Sequence, residues 1–153
     1  VQTRRISQVP MQYILIPGIA WFVAQSSKHL ARLFGRNRRV TQSNPRSPVL
    51  FSGGMPSAHS ATVVSLALTI GHYQGWGSPL FGLAAWFAAI VLYDAVMVRF
   101  SSGQQGDLLN RVVRKDYPKL STIRVAHGHT LPEVLVGAAV GAIVTFVVIF
   151  ATR

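Results

Sequence analysis

The 153 residues carry 15 Lys and Arg against 4 Asp and Glu, a formal charge of +11, while half of the chain is apolar and only 12% is charged. A soluble domain carries about a quarter charged residues, so this composition excludes an ordinary soluble domain and a disordered chain. The long apolar runs exclude a nucleic-acid binder that works through a basic surface. The absence of cysteine excludes a disulfide scaffold and a Cys-ligated metal site.

At this length residues 1–153 are read as one membrane-embedded domain. Four runs approach the roughly 20 apolar residues that cross a hydrocarbon core: Tyr13 to Phe34, Pro56 to Tyr73, Pro79 to Phe100 and Leu131 to Thr152. Arg4 and Arg5 precede an apolar run too long for the h-region of a signal peptide, with no small-residue cleavage pattern, so the first run is read as a span. The second run is dotted with Ser57, His59, Ser60, Thr62, Ser65 and Thr69. Such small hydroxyls belong inside a bundle rather than against lipid. Gly35 to Gly54, with Pro45, Pro48 and a glycine pair, reads as a loop. Gly103 to Leu120 has apolar residues at helical spacing and cations on its other faces, which suits a helix lying in the interface. The expected fold is an all-α integral membrane bundle of about four transmembrane helices plus one interfacial amphipathic helix.

The connections differ in charge. Lys28, Arg32, Arg36, Arg38, Arg39 and Arg46 surround the first, and Arg99, Arg111, Arg114, Lys115, Lys119 and Arg124 the third. The second, Tyr73 to Ser78, has none, and only Arg4, Arg5 and Arg153 lie with the termini. Twelve cations against three place the basic connections in the cytoplasm and the termini outside, in a multi-pass protein of the inner (plasma) membrane. Setting aside Lys28, Arg99 and Arg124 as site candidates still leaves nine against three.

With four alternating spans, Lys28, His59, Asp94, Arg99, His129 and Glu133 all fall at the cytoplasmic end. The set suits a phosphate. Gly53-Gly54-Met55-Pro56-Ser57 is a glycine turn feeding a helix N-terminus, where N–H groups and the dipole favour an anion. Lys28, Arg99 and Arg124 could neutralise phosphoryl oxygens, and two imidazoles could divide nucleophile and general acid between them. Glu133, four residues after His129, shares its helical face. The same residue also fits a capping box, Thr130-Leu131-Pro132-Glu133. Asp94 is costly if charged and unpaired in a membrane. On an α-helix Arg99 points about 140° away from it, so its partner is expected on another span. Gly137-Ala138-Ala139-Val140-Gly141 is a GxxxG, read first as close packing inside the bundle and second as a homodimer face. His29, His72 and His127 receive no role.

Three blocks then resemble the divergent type-2 phosphatidic acid phosphatase family: Gly53-Gly54-Met55-Pro56-Ser57-Ala58-His59-Ser60-Ala61, Tyr93-Asp94-Ala95-Val96-Met97-Val98-Arg99, and Gly128-His129-Thr130-Leu131-Pro132-Glu133-Val134. Gln25 to Lys28 and Gly103-Gln104-Gln105 through Leu109-Asn110 are similar as well. The resemblance implies a membrane lipid phosphate phosphatase that needs no metal or other cofactor and forms a phosphohistidine. It implies His129 as nucleophile, His59 as general acid, Glu133 as the orienting carboxylate, and Lys28, Arg99 and Arg124 as phosphate clamps. The chain departs from the wider superfamily's motifs at Gly35-Arg36, Ala58 and Glu133, and by having four rather than five residues between Arg124 and His129. It departs from the divergent family at Met97 and Phe100. Two alternatives stay open: a non-catalytic lipid-phosphate binder or carrier, and a metal-dependent phosphotransferase using Asp94, Asp107, His127 and His129. The expected partners are a lipid phosphate and the bilayer, with no nucleic acid.

Overall fold

The computed structural model describes residues 11–33, 55–117, 119–123, 125 and 128–152. The first basic connection, Gly54, Arg124 and His127 lie outside the described residues. The fold is all-α, and no strand occurs among the described residues. Helix α1 is Gln12–Leu33, α2 Ala58–Gln74 and α3 Pro79–Tyr93. A π-helical turn, Asp94–Val98, joins α3 to α4, Arg99–Asp116, and α5 is Leu131–Ala151.

The boundaries follow from local chemistry. Ser57, at φ −73° and ψ 113°, caps α2, and α2 stops at Gly75, whose φ of +91° suits glycine. Ser78 caps α3 by accepting the Phe81 N–H at 3.1 Å, with Pro79 just inside, where its missing N–H costs nothing. Thr130 sits at the N-cap of α5, and the Glu133 carboxylate reaches back to accept its N–H at 3.0 Å.

Helix α2 is the hub, packing against α1, α3 and α5, while α1 also packs against α5. Its contact with α5 repeats every four residues. A Cβ on Gly137 would collide with the Ser57 carbonyl, and one on Gly141 would lie 2.8 Å from the Ala61 Cα. One turn on, the Thr145 and Ser65 hydroxyls are hydrogen-bonded at 2.7 Å. The three pairs ascend together, so the helices run parallel with backbones in near contact. Both glycines are therefore consumed within the chain, and a dimer through Gly137 and Gly141 would have to displace α2.

Side chains are sorted in the sense a bilayer demands. The largest fully buried side chains are Thr69, Thr145, Ser57, Ser60 and Ser65, whereas Trp86 is 73% and Phe150 71% exposed. Water would not tolerate so large an apolar surface, but lipid does, and without a hydrophobic drive between helices small residues set the packing. Among the described residues two helices are long and apolar enough to cross a membrane, the continuous Pro79–Asp116 of 38 residues and Leu131–Ala151 of 21. This is a membrane protein.

The sequence expects Gly103 to Leu120 as a separate interfacial helix. A helix is there, but it begins at Arg99, ends at Asp116 and continues α3. No breaker separates the two, because the π turn keeps the backbone bonded across the change from apolar to polar residues. At about 1.5 Å per residue α4 is about 27 Å long. The following segment then returns alongside it. The Asn110 side chain donates to the Ile123 carbonyl at 2.9 Å and accepts the Ile123 N–H at 2.8 Å. Gly106 faces Val125, where a Cβ would lie 2.7 Å from Cγ2. Gly128 meets the Arg99–Phe100 backbone, and His129 reaches Ala95.

Candidate active site at the helix ends

That return delivers His129 to the end of the bundle where α2 and α5 begin. His129 is 7% exposed, and its N–H donates to the Ala95 carbonyl at 3.1 Å. The π turn makes this bond available. An α-helix would give the Arg99 N–H to Ala95, but here it goes five residues back, to Asp94. Ala95 O accepts from the returning loop instead. Gly128 completes the junction, since a Cβ there would lie 2.5 Å from the Arg99 carbonyl carbon. Neither the Ala95 carbonyl nor the need for glycine at 128 is signalled by spacing. A glycine immediately before the candidate nucleophile is the only trace of it.

The His129 ring meets Glu133, with Nδ1 and Oε2 3.2 Å apart. A carboxylate oxygen only accepts, so this contact calls for a proton on Nδ1, and in the neutral ring the lone pair then sits on Nε2. The same Oε2 accepts the Thr130 N–H at 3.0 Å. The capping and orienting readings of Glu133 are thus not alternatives: one oxygen does both. The Glu133 carbonyl also accepts the Ser57 N–H at 3.1 Å, fastening the starts of α2 and α5 together.

His59 stands exposed in the first turn of α2. Arg99, His129, Lys28 and Asp94 all lie close enough to act on it electrostatically. Lys28 comes from the last turns of α1 and is 8% exposed. One end of the bundle therefore gathers two imidazoles, two cations and two carboxylates from α1, α2, the π turn with α4, and α5.

Two sequence expectations change. The sequence expects the partner of Asp94 on another span, yet the Arg99 Nε donates to Asp94 Oδ2 at 2.5 Å. Five residues lie on different faces of an α-helix, but the wider π turn brings them together. Ser57, expected at the phosphate, is wholly buried. Its N–H goes to Glu133, and its Oγ accepts the Ser60 hydroxyl at 2.8 Å and the Ser60 N–H at 3.4 Å. The residue holds α2 in place. Gly54 and Arg124 lie outside the described residues.

The chain is 34% identical over 119 residues to the membrane protein YuiD of Bacillus subtilis (strain 168), itself uncharacterized; the alignment covers 68% of this chain and 75% of that one. No solved structure matches it. The profile of the divergent PAP2 family matches residues 10–144, nearly the whole chain. The protein belongs to the divergent PAP2 family.

Proposed function

We propose that the protein is a metal-independent lipid phosphate phosphatase whose nucleophile is His129. The observation that carries this reading is the 3.2 Å contact between His129 Nδ1 and Glu133 in a site that also holds His59, Lys28 and Arg99. With Nδ1 protonated, Nε2 attacks phosphorus and the bond to the lipid oxygen breaks. His59 gives that oxygen its proton, leaving a phosphohistidine. Water, deprotonated by His59, then releases phosphate and restores both rings. Lys28 and Arg99, with Arg124 as a further candidate outside the described residues, offset the charge on the phosphoryl oxygens.

The four-crossing topology, with both termini outside and the site facing the cytoplasm, belongs to this reading and rests on the twelve-to-three distribution of cations. A cytoplasmic site takes a phospholipid or prenyl (di)phosphate made on that side. Single cysteines at Ser43 and Ser78 test it in intact cells. An impermeant maleimide should label Ser78→Cys and spare Ser43→Cys, and the reverse overturns the orientation.

Activity is tested on purified protein with short-chain phosphatidate, phosphatidylglycerol phosphate and prenyl diphosphate, with and without EDTA. Release of phosphate unaffected by EDTA and blocked by vanadate is expected. The rival binder or carrier would use the same cationic pocket without turnover. Tight binding of one of these lipids without turnover selects it. For the metal-dependent rival, the described residues contain no group of three or more His, Cys, Asp or Glu able to hold an ion, and His127 lies outside them. Activity abolished by EDTA and restored by Mg²⁺ or Zn²⁺ selects that rival.

A further inference from the structure

We propose that Asp94 is a positioning residue for Arg99, which it holds by Nε so that the two terminal nitrogens serve the phosphoryl group; this rests on the phosphate-site reading above. The site has two carboxylates, and each is joined to one functional group. Glu133 takes His129, and Asp94 takes Arg99. Nothing in the spacing Asp94-Ala95-Val96-Met97-Val98-Arg99 makes them partners on an α-helix. They meet because Asp94–Val98 is wound as a π turn, whose Arg99 N–H also closes on the Asp94 carbonyl. Side chain and backbone of Asp94 therefore both grip the same residue.

The mode of contact leaves the tip of the guanidinium clear of the carboxylate. Carboxylates bound to arginine frequently take two parallel N–H groups. Here the bond is one oxygen to Nε, at the base of the fork. Arginine has five N–H donors, and among the described residues only Nε is engaged. Both side chains are partly exposed, so ligand can reach them. A long, flexible side chain loses much rotamer entropy when it clamps an anion. A neighbour that fixes its Nε removes part of that cost before the ligand arrives.

The test is vanadate binding to the purified protein in a double-mutant cycle, with thermal melting of each variant alongside. Arg99→Ala should weaken vanadate binding about tenfold or more, the loss expected for a charged hydrogen-bonding partner. Asp94→Ala should lose a comparable factor. In the Arg99→Ala background the same substitution should change affinity by less than about twofold, since coupled residues are not additive. Asp94→Asn keeps an acceptor for Nε and should lose less than about threefold. A role confined to helix stability predicts lower melting points with unchanged affinity in the folded variants, and overturns the proposal. Tighter binding by Asp94→Ala means that Asp94 quenches Arg99 and also overturns it. So does additivity, which makes Asp94 act independently of Arg99. If the wild-type protein binds no vanadate, the phosphate-site reading itself falls, which distinguishes the two failures.

Discussion

The α2–α5 seam and the π turn with its returning loop meet at the same end of the bundle, yet they are built on opposite principles. The seam is regular. Ser57, Ala61 and Ser65 face Gly137, Gly141 and Thr145 at a four-residue repeat, and small side chains let two helices run in near contact. The turn is irregular. One added residue per turn redirects the Arg99 N–H, aligns Asp94 with Arg99 and turns the Ala95 carbonyl over to His129. A regular seam supplies a rigid frame, and a local irregularity orients the polar groups of the candidate site held on it. Substitutions in the two regions should therefore separate stability from chemistry.

The largest separation comes from His129→Ala, which should lose roughly 10²-fold or more in phosphate release with little change in melting temperature; His59→Ala should lose a comparable factor. Single-turnover assays on matched folded fractions measure it, and a lipid phosphatase activity that survives both substitutions refutes the mechanism. Gly141→Leu is the counterpart in the seam. Its side chain has nowhere to go against the Ala61 backbone, so thermal melting in detergent should show a loss of about 1–3 kcal/mol or more. The remaining folded protein should keep its turnover per active site. A full loss of turnover without loss of stability would mean that the seam itself does chemistry.

Glu133 belongs to both regions, and two substitutions divide its work. Glu133→Gln keeps an oxygen for the Thr130 N–H but removes the charge facing His129, so turnover should fall about tenfold while melting is nearly unchanged. Glu133→Ala should add a stability loss of about 1 kcal/mol for the missing cap. Equal melting of the two variants would show that the cap carries no stability. Smaller still is Asn110→Ala, which removes two hydrogen bonds to Ile123 and should cost about 1 kcal/mol. Hydrogen exchange should report faster opening of residues 119–123. The smallest effect is Thr145→Val, where the hydroxyl pair with Ser65 is worth about 0.6 kcal/mol in a membrane interior. A loss several times larger would make that pair a determinant of the seam rather than an accessory.

What could be read without coordinates was whatever obeys a period or a composition. Apolar runs gave helices, hydroxyls in α2 marked an inward-facing element, and Gly137 with Gly141 marked a close approach. Each follows from the low polarity of lipid and the 3.6-residue turn, which act on every residue alike. The sequence also brought Glu133 onto the His129 face, because i and i+4 always share one.

Only the tertiary structure decided which partner each polar group takes. Asp94 and Arg99 lie on different faces only of a uniform α-helix, and a single π turn brings them together. Ser57 looked like an anion ligand until α5 was placed against it and used its N–H. The extra helical length from Arg99 to Asp116, and the loop folded back along it, could not be inferred from amphipathicity, which specifies a helix's faces but not its direction. Sequence thus determined the membrane bundle and the residues available for chemistry. The tertiary structure determined their pairing, because hydrogen bonds depend on tenths of an ångström and on one turn of irregular helix, to which a hydrophobic pattern is blind.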